Sequence, residues 1–581
     1  MTIKPIGLSQ FTLLLAAYFV LVINIPLAAH LITILQHTEG LSVGMVLSLP
    51  LFFGSVFYLL FSFWTLPYLA KPFAVVLLLA SSLVSYAMFY YGTVFDMEMI
   101  RNLVETNPGE AHAYLNTNLA VWWLLTGVLP AALLVVIPLR SRPAARELAY
   151  KALTMAAAVA IVVGIAALYY KDYASLGRNN HELNKLINPT HYLYSAGKFV
   201  SRTYLAPPRA HQQLGEDATI ADVDSARKKR LMVLVLGETA RASNFEINGY
   251  PRPTNQFTRD LGLVSFKNVS SCGTATAVSV PCLFSRLNRA DYEPAIAKTQ
   301  DNLLDIIQRA GVSVRWLEND GGCKGVCARV PTQAFEPSPG VHFCEGEYCQ
   351  DEVLLEGLKA QLASLGNEDA LVVMHLAGSH GPTYNQRYPD AFRRFTPDCP
   401  RSDIQNCSDL QIVNSYDNTL YYDDFVMSRV IATLGEQTQW QASLLYVSDH
   451  GESLGENGLY LHGMPYALAP EEQTHIPMLL WMSPEFSALS DYDSQCVARA
   501  AEQADLSHDN VFDAVLGLLQ VETSLYRPQQ DMLRPCREPV LVAQAPLAEI
   551  PAPSGASKGC PPVSHMPEDV VMVHTLPVAL E

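Results

Sequence analysis

The first third of the chain alternates long apolar runs with short polar segments. Five runs, at residues 6–35, 41–66, 72–92, 119–139 and 151–170, are each near or above the roughly 20 residues that an α-helix needs to cross a bilayer. The pattern therefore predicts five transmembrane helices within residues 1–170. The first run is too long for a removable signal peptide and lacks a small-residue cleavage site, so we expect it to remain as an anchor.

The basic residues between these runs predict the orientation of the membrane part. Lysine and arginine favour the cytoplasmic side, and they lie before the first run, between the second and third, and between the fourth and fifth: Lys4, Lys71, Arg140, Arg142, Arg146 and Lys151. Five spans that start in the cytoplasm place everything after residue 170 outside it. The chain is thus expected to carry its soluble part on the outer face of the membrane.

Residues 231–537 alternate short buried-strand runs with helical patterns, which is typical of an α/β domain with a largely parallel sheet. The candidate strands are residues 231–236, 312–317, 370–376 and 443–447. Residues 171–230 are first aromatic and basic and then polar with prolines, so we expect interfacial helices followed by a linker. The Pro- and Ala-rich residues 538–581 are expected to form a poorly ordered tail.

Composition agrees with this division and excludes one class of partner. Half of the 581 residues are hydrophobic and 16% are charged, which is too apolar for an ordinary soluble protein. The net charge of -17 argues against nucleic-acid binding, which needs a basic surface. We expect a multi-domain membrane protein.

Most of the eleven cysteines form close pairs in the soluble region. Zinc binding is the alternative to disulfide bonds, but the spacing differs from pair to pair, so disulfides in an oxidising compartment are favoured. The pairs are Cys272/Cys282, Cys323/Cys327, Cys344/Cys349 and Cys399/Cys407. Cys496 and Cys536 are candidates for a fifth bridge, which leaves Cys560 over.

Acidic and histidine residues follow two of the candidate strands directly. Glu238 comes after the first strand, and Asp449 and His450 come after the last. Carboxylate and imidazole groups are zinc ligands, and the carboxyl ends of parallel strands meet at one edge. A hydroxyl from the segment Cys272-Gly-Thr-Ala-Thr-Ala-Val-Ser-Val-Pro-Cys282 would complete the site and act as nucleophile. Both Thr274 and Thr276 lie in this segment, and the residues alone do not decide between them.

Three histidines and one lysine are further candidates for the same cleft. We expect His380 and His462 to bind a second zinc or a phosphate, and we assign His375 a structural role. Lys324, inside a tight cysteine loop, is either a fixed positive charge for a phosphate or an ordinary surface lysine.

A polar stripe in the outer loop between the third and fourth spans is a further candidate. Asn102, Thr106 and Glu110 are four residues apart, so they would share a face if the loop is helical, although Pro108 and Gly109 weaken that interpretation. The alternatives are a surface that meets a lipid headgroup and a merely solvated loop.

Together these motifs resemble the lipid A phosphoethanolamine transferases, the family that includes the mobile colistin-resistance enzymes. The resemblance rests on Leu236-Gly-Glu-Thr-Ala-Arg241, on Cys272-Gly-Thr-x-Thr276, on Ser448-Asp-His-Gly-Glu-Ser-Leu-Gly-Glu-Asn457 and on Leu461-His-Gly-Met-Pro465. It implies a soluble domain of the alkaline phosphatase and sulfatase superfamily.

The resemblance also implies residue roles and partners. Zinc would lie on Glu238, Thr276, Asp449 and His450, and Thr276 would take phosphoethanolamine from phosphatidylethanolamine and pass it to a phosphate of lipid A. It further implies donor-binding roles for Lys324, His380, His462, Asn102, Thr106 and Glu110. The expected setting is a monomer in the bacterial inner membrane with its catalytic domain in the periplasm.

Three other functions remain open at this stage. A related transferase would use another acceptor or headgroup, such as a lipopolysaccharide core sugar or phosphoglycerol. A sulfatase-like hydrolase is a further alternative, but hydrolysis of a soluble ester would not explain the five membrane spans. A non-catalytic membrane sensor would be expected to have lost at least one of the four expected zinc ligands, and Glu238, Thr276, Asp449 and His450 are all present.

Overall fold

The structure is a computed structural model, and it describes residues 4–37, 42–140, 142–221, 228–337, 342–345, 348–489 and 492–537. The predicted tail at 538–581 and Cys560 lie outside the described residues. The statements below concern the described ranges.

The membrane part is built from long apolar helices. Within the described ranges, four are long and apolar enough to cross a bilayer: Val43–Trp64, Ala70–Tyr90, Thr117–Val136 and Ala144–Asn179. A further candidate is a pair, Leu8–Ile23 and Ile25–Gln36, which is bent by 59°. The chain is therefore a multi-pass membrane protein with four or five apolar helical spans.

The first predicted span is bent at Asn24, two residues before Pro26, which lacks the backbone N–H that a continuous helix needs. The Asn24 side chain donates to the carbonyl oxygens of Phe19 at 3.0 Å and Asn188 at 2.6 Å, and it accepts from the Asn188 backbone N–H at 2.9 Å. These bonds satisfy backbone groups that a bend leaves open. The last predicted span also differs, because its helix continues past residue 170 to Asn179 with a local break at Tyr169.

Short helices connect the membrane part to the soluble part. The outer loop forms the helices Met97–Glu105 and Pro108–Ala113. After residue 180 come a 3-10 helix, His181–Leu186, the helix Thr190–Val200 and a helical turn, Ser201–Leu205. Tyr192 and Phe199 are buried, whereas Tyr194 and Tyr204 are exposed. This two-sided pattern is typical of an interfacial helix.

A seven-stranded sheet forms the centre of the soluble part. Its described strands are, in chain order, β1 (Lys229–Gly237), β2 (Val264–Phe266), β3 (Ser313–Glu318), β4 (Thr332–Ala334), β5 (Ala370–His375), β6 (Trp440–Ser448) and β7 (Met478–Met482). Across the sheet the order is β2-β7-β6-β1-β5-β3-β4. The apolar side chains of β1, β5 and β6 are buried on both faces, as expected for inner parallel strands.

The sheet is mixed rather than parallel throughout. Strands β6, β1, β5, β3 and β4 pair in parallel, but β7 pairs antiparallel with both β6 and β2. The four predicted strands correspond to β1, β3, β5 and β6. The sequence interpretation missed β2, β4 and β7; for β7 the apolar run Met478-Leu-Leu-Trp-Met482 was an available signal.

Helices cover both faces of this sheet, and short strand pairs complete the soluble part. The helices are Thr276–Leu283, Pro294–Ala297, Leu303–Arg309, Val353–Ser364, Asp409–Gly435, Glu471–Thr474, Pro484–Leu489, Ser494–Gln503 and Val511–Leu519. The short pairs are Thr219–Ile220 with Val521–Glu522, Asn268–Ser270 with Asp505–Ser507, Ser453–Leu454 with Tyr460–Leu461, and Cys344–Glu345 with Tyr348–Cys349. Two hydrophobic cores, one on each face, result.

The outer loop of the membrane part contacts the soluble part directly. Tyr348 Oη donates to the Gly109 carbonyl at 3.0 Å, and Lys298 Nζ lies 2.9 Å from Glu105 Oε1. The Tyr460 backbone N–H also donates to the Tyr91 carbonyl at 3.1 Å. These contacts hold the carboxyl edge of the sheet against the membrane region.

A buried ion pair just after the helix Thr276–Leu283 generates a stability prediction. Arg286 and Asp513 are 3.1 Å apart, with side chains 7% and 0% exposed. Removing one partner of a buried pair leaves an uncompensated charge and costs about 3–5 kcal/mol. We expect Asp513→Ala to lower the thermal unfolding midpoint of the purified chain markedly, as followed by circular dichroism.

The matched control is an exposed pair at the same distance. Asp390 and Arg393 are also 3.1 Å apart, but Asp390 is 89% exposed, so Asp390→Ala should cost less than about 1 kcal/mol. Equal shifts of the midpoint in the two variants would contradict the assigned role of burial.

Candidate metal centre and catalytic cleft

The register of two neighbouring strands brings the predicted acidic ligands together. Strands β1 and β6 run in parallel, with Gly237 opposite Ser448. Glu238 directly follows β1 and Asp449 directly follows β6, so both residues leave the sheet at the same edge. Both side chains are fully buried.

Four predicted residues converge at this edge. Thr276 Oγ1 lies 3.2 Å from Glu238 Oε1 and 3.4 Å from His450 Nε2. His450 Nε2 lies 3.5 Å from Glu238 Oε1 and 3.3 Å from Asp449 Oδ2. One oxygen or nitrogen atom from each of Glu238, Asp449 and His450 lies within 4.8 Å of the others. This is the spacing of a group that can share one cation.

Local contacts fix the orientation of His450 and Asp449. His450 Nδ1 donates to the Gly451 carbonyl at 2.9 Å, which leaves the Nε2 lone pair facing the cluster. Asp449 Oδ1 accepts from the backbone N–H groups of Thr239 and His450. Gly451 is required here, since a Cβ atom would lie 2.1 Å from the Glu472 carbonyl oxygen.

Electrostatics favours a cation at this cluster. Burial raises the pKa of Glu238 well above its ordinary value, and the charge of Asp449 raises it further. Burial also lowers the pKa of His450 to about 4, so its imidazole is neutral at pH 7, which is the form that binds metals. Two buried carboxylates beside a neutral imidazole and a hydroxyl are a donor set that fits zinc.

The hydroxyls of the two candidate threonines have different surroundings. Thr276 is the first residue of the helix Thr276–Leu283, and its hydroxyl faces the cluster. Thr274 Oγ1 instead donates to the Met464 carbonyl at 2.6 Å. A disulfide joins Cys272 to Cys282 across this turn, which restricts the motion of the segment that carries Thr276.

The remaining cysteine pairs are also bonded in the structure. Disulfides join Cys323 to Cys327, Cys344 to Cys349, Cys399 to Cys407 and Cys496 to Cys536. All lie in the soluble part, as an oxidising compartment would allow.

His380 and His462 lie beside the cluster and face each other. Their ring centroids are 5.2 Å apart, and the His462 ring is 4.5 Å from that of His450. His462 Nδ1 contacts Glu452 Oε2 at 2.8 Å, and Tyr384 Oη donates to Glu452 Oε1 at 2.6 Å. The pair of contacts on Glu452 holds the His462 ring in place.

The outer loop of the membrane part supplies a carboxylate to this cleft. Glu110 Oε1 lies 3.3 Å from His380 Nε2. Burial acts to raise the pKa of Glu110, but His380, Lys324 and His462 outweigh it and hold the pKa at about 2. Glu110 is therefore a negatively charged group at the rim of the cleft.

Lys324 points towards the same cleft. Burial acts to lower its pKa, but the carboxylates of Asp320, Glu110 and Glu238 outweigh burial and raise the pKa above its ordinary value. The interpretation as an isolated surface lysine does not fit this environment. Its ammonium group is a fixed positive charge near the cluster.

The predicted stripe Asn102, Thr106 and Glu110 is not one helical face. The first helix of the loop ends at Glu105, and Thr106 has an extended backbone. Thr106 Oγ1 donates to the Asn102 carbonyl at 2.8 Å, which places these two residues together. Glu110 belongs to the next helix and is the one of the three that contacts the histidine cleft.

Sequence reasoning missed several residues that support the site. The buried His508 accepts from the Cys272 N–H at 3.1 Å and donates to the Ser448 carbonyl at 2.9 Å, so it links the Thr276 turn to β6. A lone histidine in Leu-Ser-His-Asp-Asn gives no signal for this role. Glu452 and Asp320, by contrast, could have been found from the sequence. Glu452 lies in the Asp-His-Gly-Glu motif that follows β6, and Asp320 lies between the end of β3 and Cys323.

Comparisons with known proteins divide the chain in the same way. A family profile described as "Phosphoethanolamine transferase EptA/EptB" matches residues 53–204. A second profile, described as "Sulfatase", matches residues 230–521. The first covers most of the apolar helices and the second covers the mixed sheet.

Relatives and a solved structure match nearly the whole chain. Phosphoethanolamine transferase EptA of Escherichia coli (strain K12) is 41% identical over 532 residues, which are 90% of this chain and 96% of the relative. Phosphatidylethanolamine transferase Mcr-1 of Escherichia coli is 33% identical over 85% of this chain and 92% of its own length. The integral membrane protein lipooligosaccharide phosphoethanolamine transferase A (EptA) from Neisseria meningitidis superposes with a TM-score of 0.88, at 36% identity, covering 92% of this chain and all of that one.

The membrane helices, the sulfatase-type sheet and these relatives agree along almost the full length of the chain. The chain belongs to the EptA family of phosphoethanolamine transferases.

Proposed function

We propose that this protein transfers phosphoethanolamine from phosphatidylethanolamine to a phosphate of lipid A. The observation that carries the proposal is the buried Thr276 hydroxyl within 3.4 Å of both Glu238 and His450, in a cleft that a membrane-part carboxylate lines. The names of its relatives, phosphoethanolamine transferases, support the choice of the transferred group. Adding a positive amine to lipid A would weaken its attraction for cationic peptides such as polymyxin and colistin.

The setting we propose is the bacterial inner membrane, with five spans and the catalytic part in the periplasm. The basic residues between the spans support this orientation, and so do five disulfides in the soluble part. The boundaries proposed are residues 1–170 for the membrane domain, 171–230 for interfacial helices and linker, and 231–537 for the catalytic domain. We propose that the chain acts as a monomer.

Zinc is the proposed cofactor of the first step. Glu238, Thr276, Asp449 and His450 would hold it, and when bound it would lower the pKa of a hydroxyl and offset phosphoryl charge. The Thr276 oxygen then attacks the donor phosphorus, the Thr276–phosphoethanolamine bond forms, and the bond to diacylglycerol breaks. The phosphothreonine is afterwards attacked by a lipid A phosphate, which restores Thr276.

The residues around Thr276 would orient the donor headgroup. Phosphoethanolamine carries a negative phosphate and a positive amine, and the cleft carries the complementary charges at separate points. Lys324, His380 and His462 would bind the phosphate, and Glu110 would pair with the amine. We propose that Asn102 and Thr106, behind Glu110, complete the wall that meets the donor lipid.

The nucleophile assignment predicts the outcome of two threonine substitutions. Thr276→Ala should lower lipid A modification at least about a thousandfold, because it removes the attacking oxygen. Thr274→Ala is the matched control and should retain modification, since Thr274 bonds only the Met464 carbonyl. The measurement is mass spectrometry of lipid A from cells without a transferase of their own.

The same spectra separate the competing functions. Wild-type cells whose lipid A gains no phosphoethanolamine would overturn the proposed acceptor, and a modified core sugar would favour a related transferase instead. Hydrolysis of phosphatidylethanolamine without any acceptor would favour a hydrolase. Full modification by Thr276→Ala would show that the nucleophile is misassigned.

If Glu110 binds the amine of the donor, its removal should affect donors with and without an amine differently. Glu110→Gln should lower kcat/KM for phosphatidylethanolamine by about 10–100-fold, because one charge-assisted hydrogen bond is lost. The loss should be small for phosphatidylethanol, which has no amine. The assay follows diacylglycerol release from each donor in detergent micelles.

Glu105→Gln is the control for this prediction. Glu105 is also a carboxylate and ends the preceding helix, but it pairs with the half-exposed Lys298, so kcat/KM should change by less than about threefold. An equal loss for both donors in Glu110→Gln would refute amine recognition by Glu110.

A further inference from the structure

A second group of side chains that can bind a metal shares Glu238 with the first group. One ligand atom from each of Glu238, Asp320 and His375 lies within 4.8 Å of the other two. His375 ends β5, and Asp320 lies two residues beyond the end of β3, so neighbouring parallel strands bring them together. Glu238 belongs to both groups.

His375 presents an unused nitrogen to this second group. The side chain is fully buried, and its Nδ1 donates to Glu318 Oε2 at 3.0 Å. Among the residues that the structure describes, its Nε2 has no hydrogen-bond partner, and it lies 3.7 Å from Asp320 Oδ2. A carboxylate behind one imidazole nitrogen, with the other nitrogen free and facing acidic oxygens, is the usual arrangement of a metal-binding histidine.

Glu318 is itself held in place for this role. Its Oε2 also accepts from Trp316 Nε1 at 2.8 Å, and its Oε1 accepts from the Asp320 backbone N–H at 2.6 Å. These bonds fix the carboxylate that orients His375, and they fix the turn that carries Asp320. Glu318 therefore orients the His375 ring through Nδ1 and the Asp320 turn through its backbone N–H.

The charges of this region also favour a cation. Glu238, Asp449, Asp320 and Glu318 bring four carboxylates into one buried region. In the described part of the chain, no lysine or arginine nitrogen lies within 4.0 Å of a Glu238 or Asp320 oxygen, and their close ion pairs are with histidines. A cation held by Glu238 and Asp320 would offset negative charge that is costly to bury unpaired.

We propose that Glu238, Asp320 and His375 bind a second divalent cation, of the Zn²⁺ or Mn²⁺ class, with Glu238 bridging it to the first. Two carboxylates and one imidazole suit these ions. Bridged sites of this kind hold their ions about 3.5–4 Å apart. The inference rests on the proposed first zinc site. It differs from the sequence interpretation because His375 is a ligand rather than a structural residue. It also differs because the second ion lies on Glu238, Asp320 and His375 rather than on His380 and His462.

The test is the number of ions that the full chain binds in detergent after chelation. Mass spectrometry of the metal content, following titration with Zn²⁺ alone and removal of free ion, should give two ions per wild-type chain. Asp320→Asn and His375→Gln should each give one. Asp390→Asn and His211→Gln, which change an exposed aspartate and a half-exposed histidine far from β5, should keep two.

Titration with Mn²⁺ gives a second readout that needs no variant. Two manganese ions that share the Glu238 carboxylate should show an exchange-coupled electron paramagnetic resonance spectrum, and isolated ions show six lines. Glu318→Gln, which keeps the size of the orienting side chain, should weaken the second ion about 10–100-fold.

A single ion per wild-type chain, or a six-line spectrum alone at saturation, would overturn the second site, whether or not the variants fold. Loss of the second ion in His380→Gln but not in His375→Gln would place it elsewhere and also overturn it. Failure of the proposed function gives a different result. Two coupled ions in a chain that leaves lipid A unmodified would refute lipid A as the acceptor but would still support the second metal site.

Discussion

The repulsion between buried carboxylates at the carboxyl edge of β1 and β6 is the constraint on which the site depends. The parallel register places Glu238 beside Asp449, and burial removes the water that would otherwise screen them. Protein groups compensate only part of this charge. A cation would offset the rest, so the architecture that forms the sheet also creates a site that favours the proposed metal.

A disulfide and a buried histidine position Thr276, the proposed nucleophile. The Cys272–Cys282 disulfide closes the turn, and His508 ties its backbone to β6. Thr276 therefore approaches the carboxylates from a rigid segment rather than a free loop. Such rigidity is what makes in-line attack efficient, since little orientational freedom is lost in the reaction. The membrane part then adds Glu110 to a cleft that is otherwise built by the soluble part.

The sequence predicted the centre of this arrangement better than its periphery. Glu238, Asp449 and His450 follow long buried runs, so strand ends located them without knowledge of tertiary contacts. His508 and Glu318 act through single hydrogen bonds between distant segments, and no local pattern marks such bonds. The same reason explains the missed β2 and β4, which are three residues long and exist only because neighbouring strands pair with them. The bend at Asn24 differs, because Pro26 was a local signal for it.

The most direct test of the central claim is a crystal structure of the full chain with anomalous diffraction data collected on both sides of the zinc absorption edge. The account predicts an anomalous peak within bonding distance of Glu238, Thr276, Asp449 and His450, about 2.0–2.2 Å from each ligand atom. A map in which this edge of the sheet holds no anomalous peak after zinc loading, or in which Thr276 Oγ1 turns away from the ion, would contradict it.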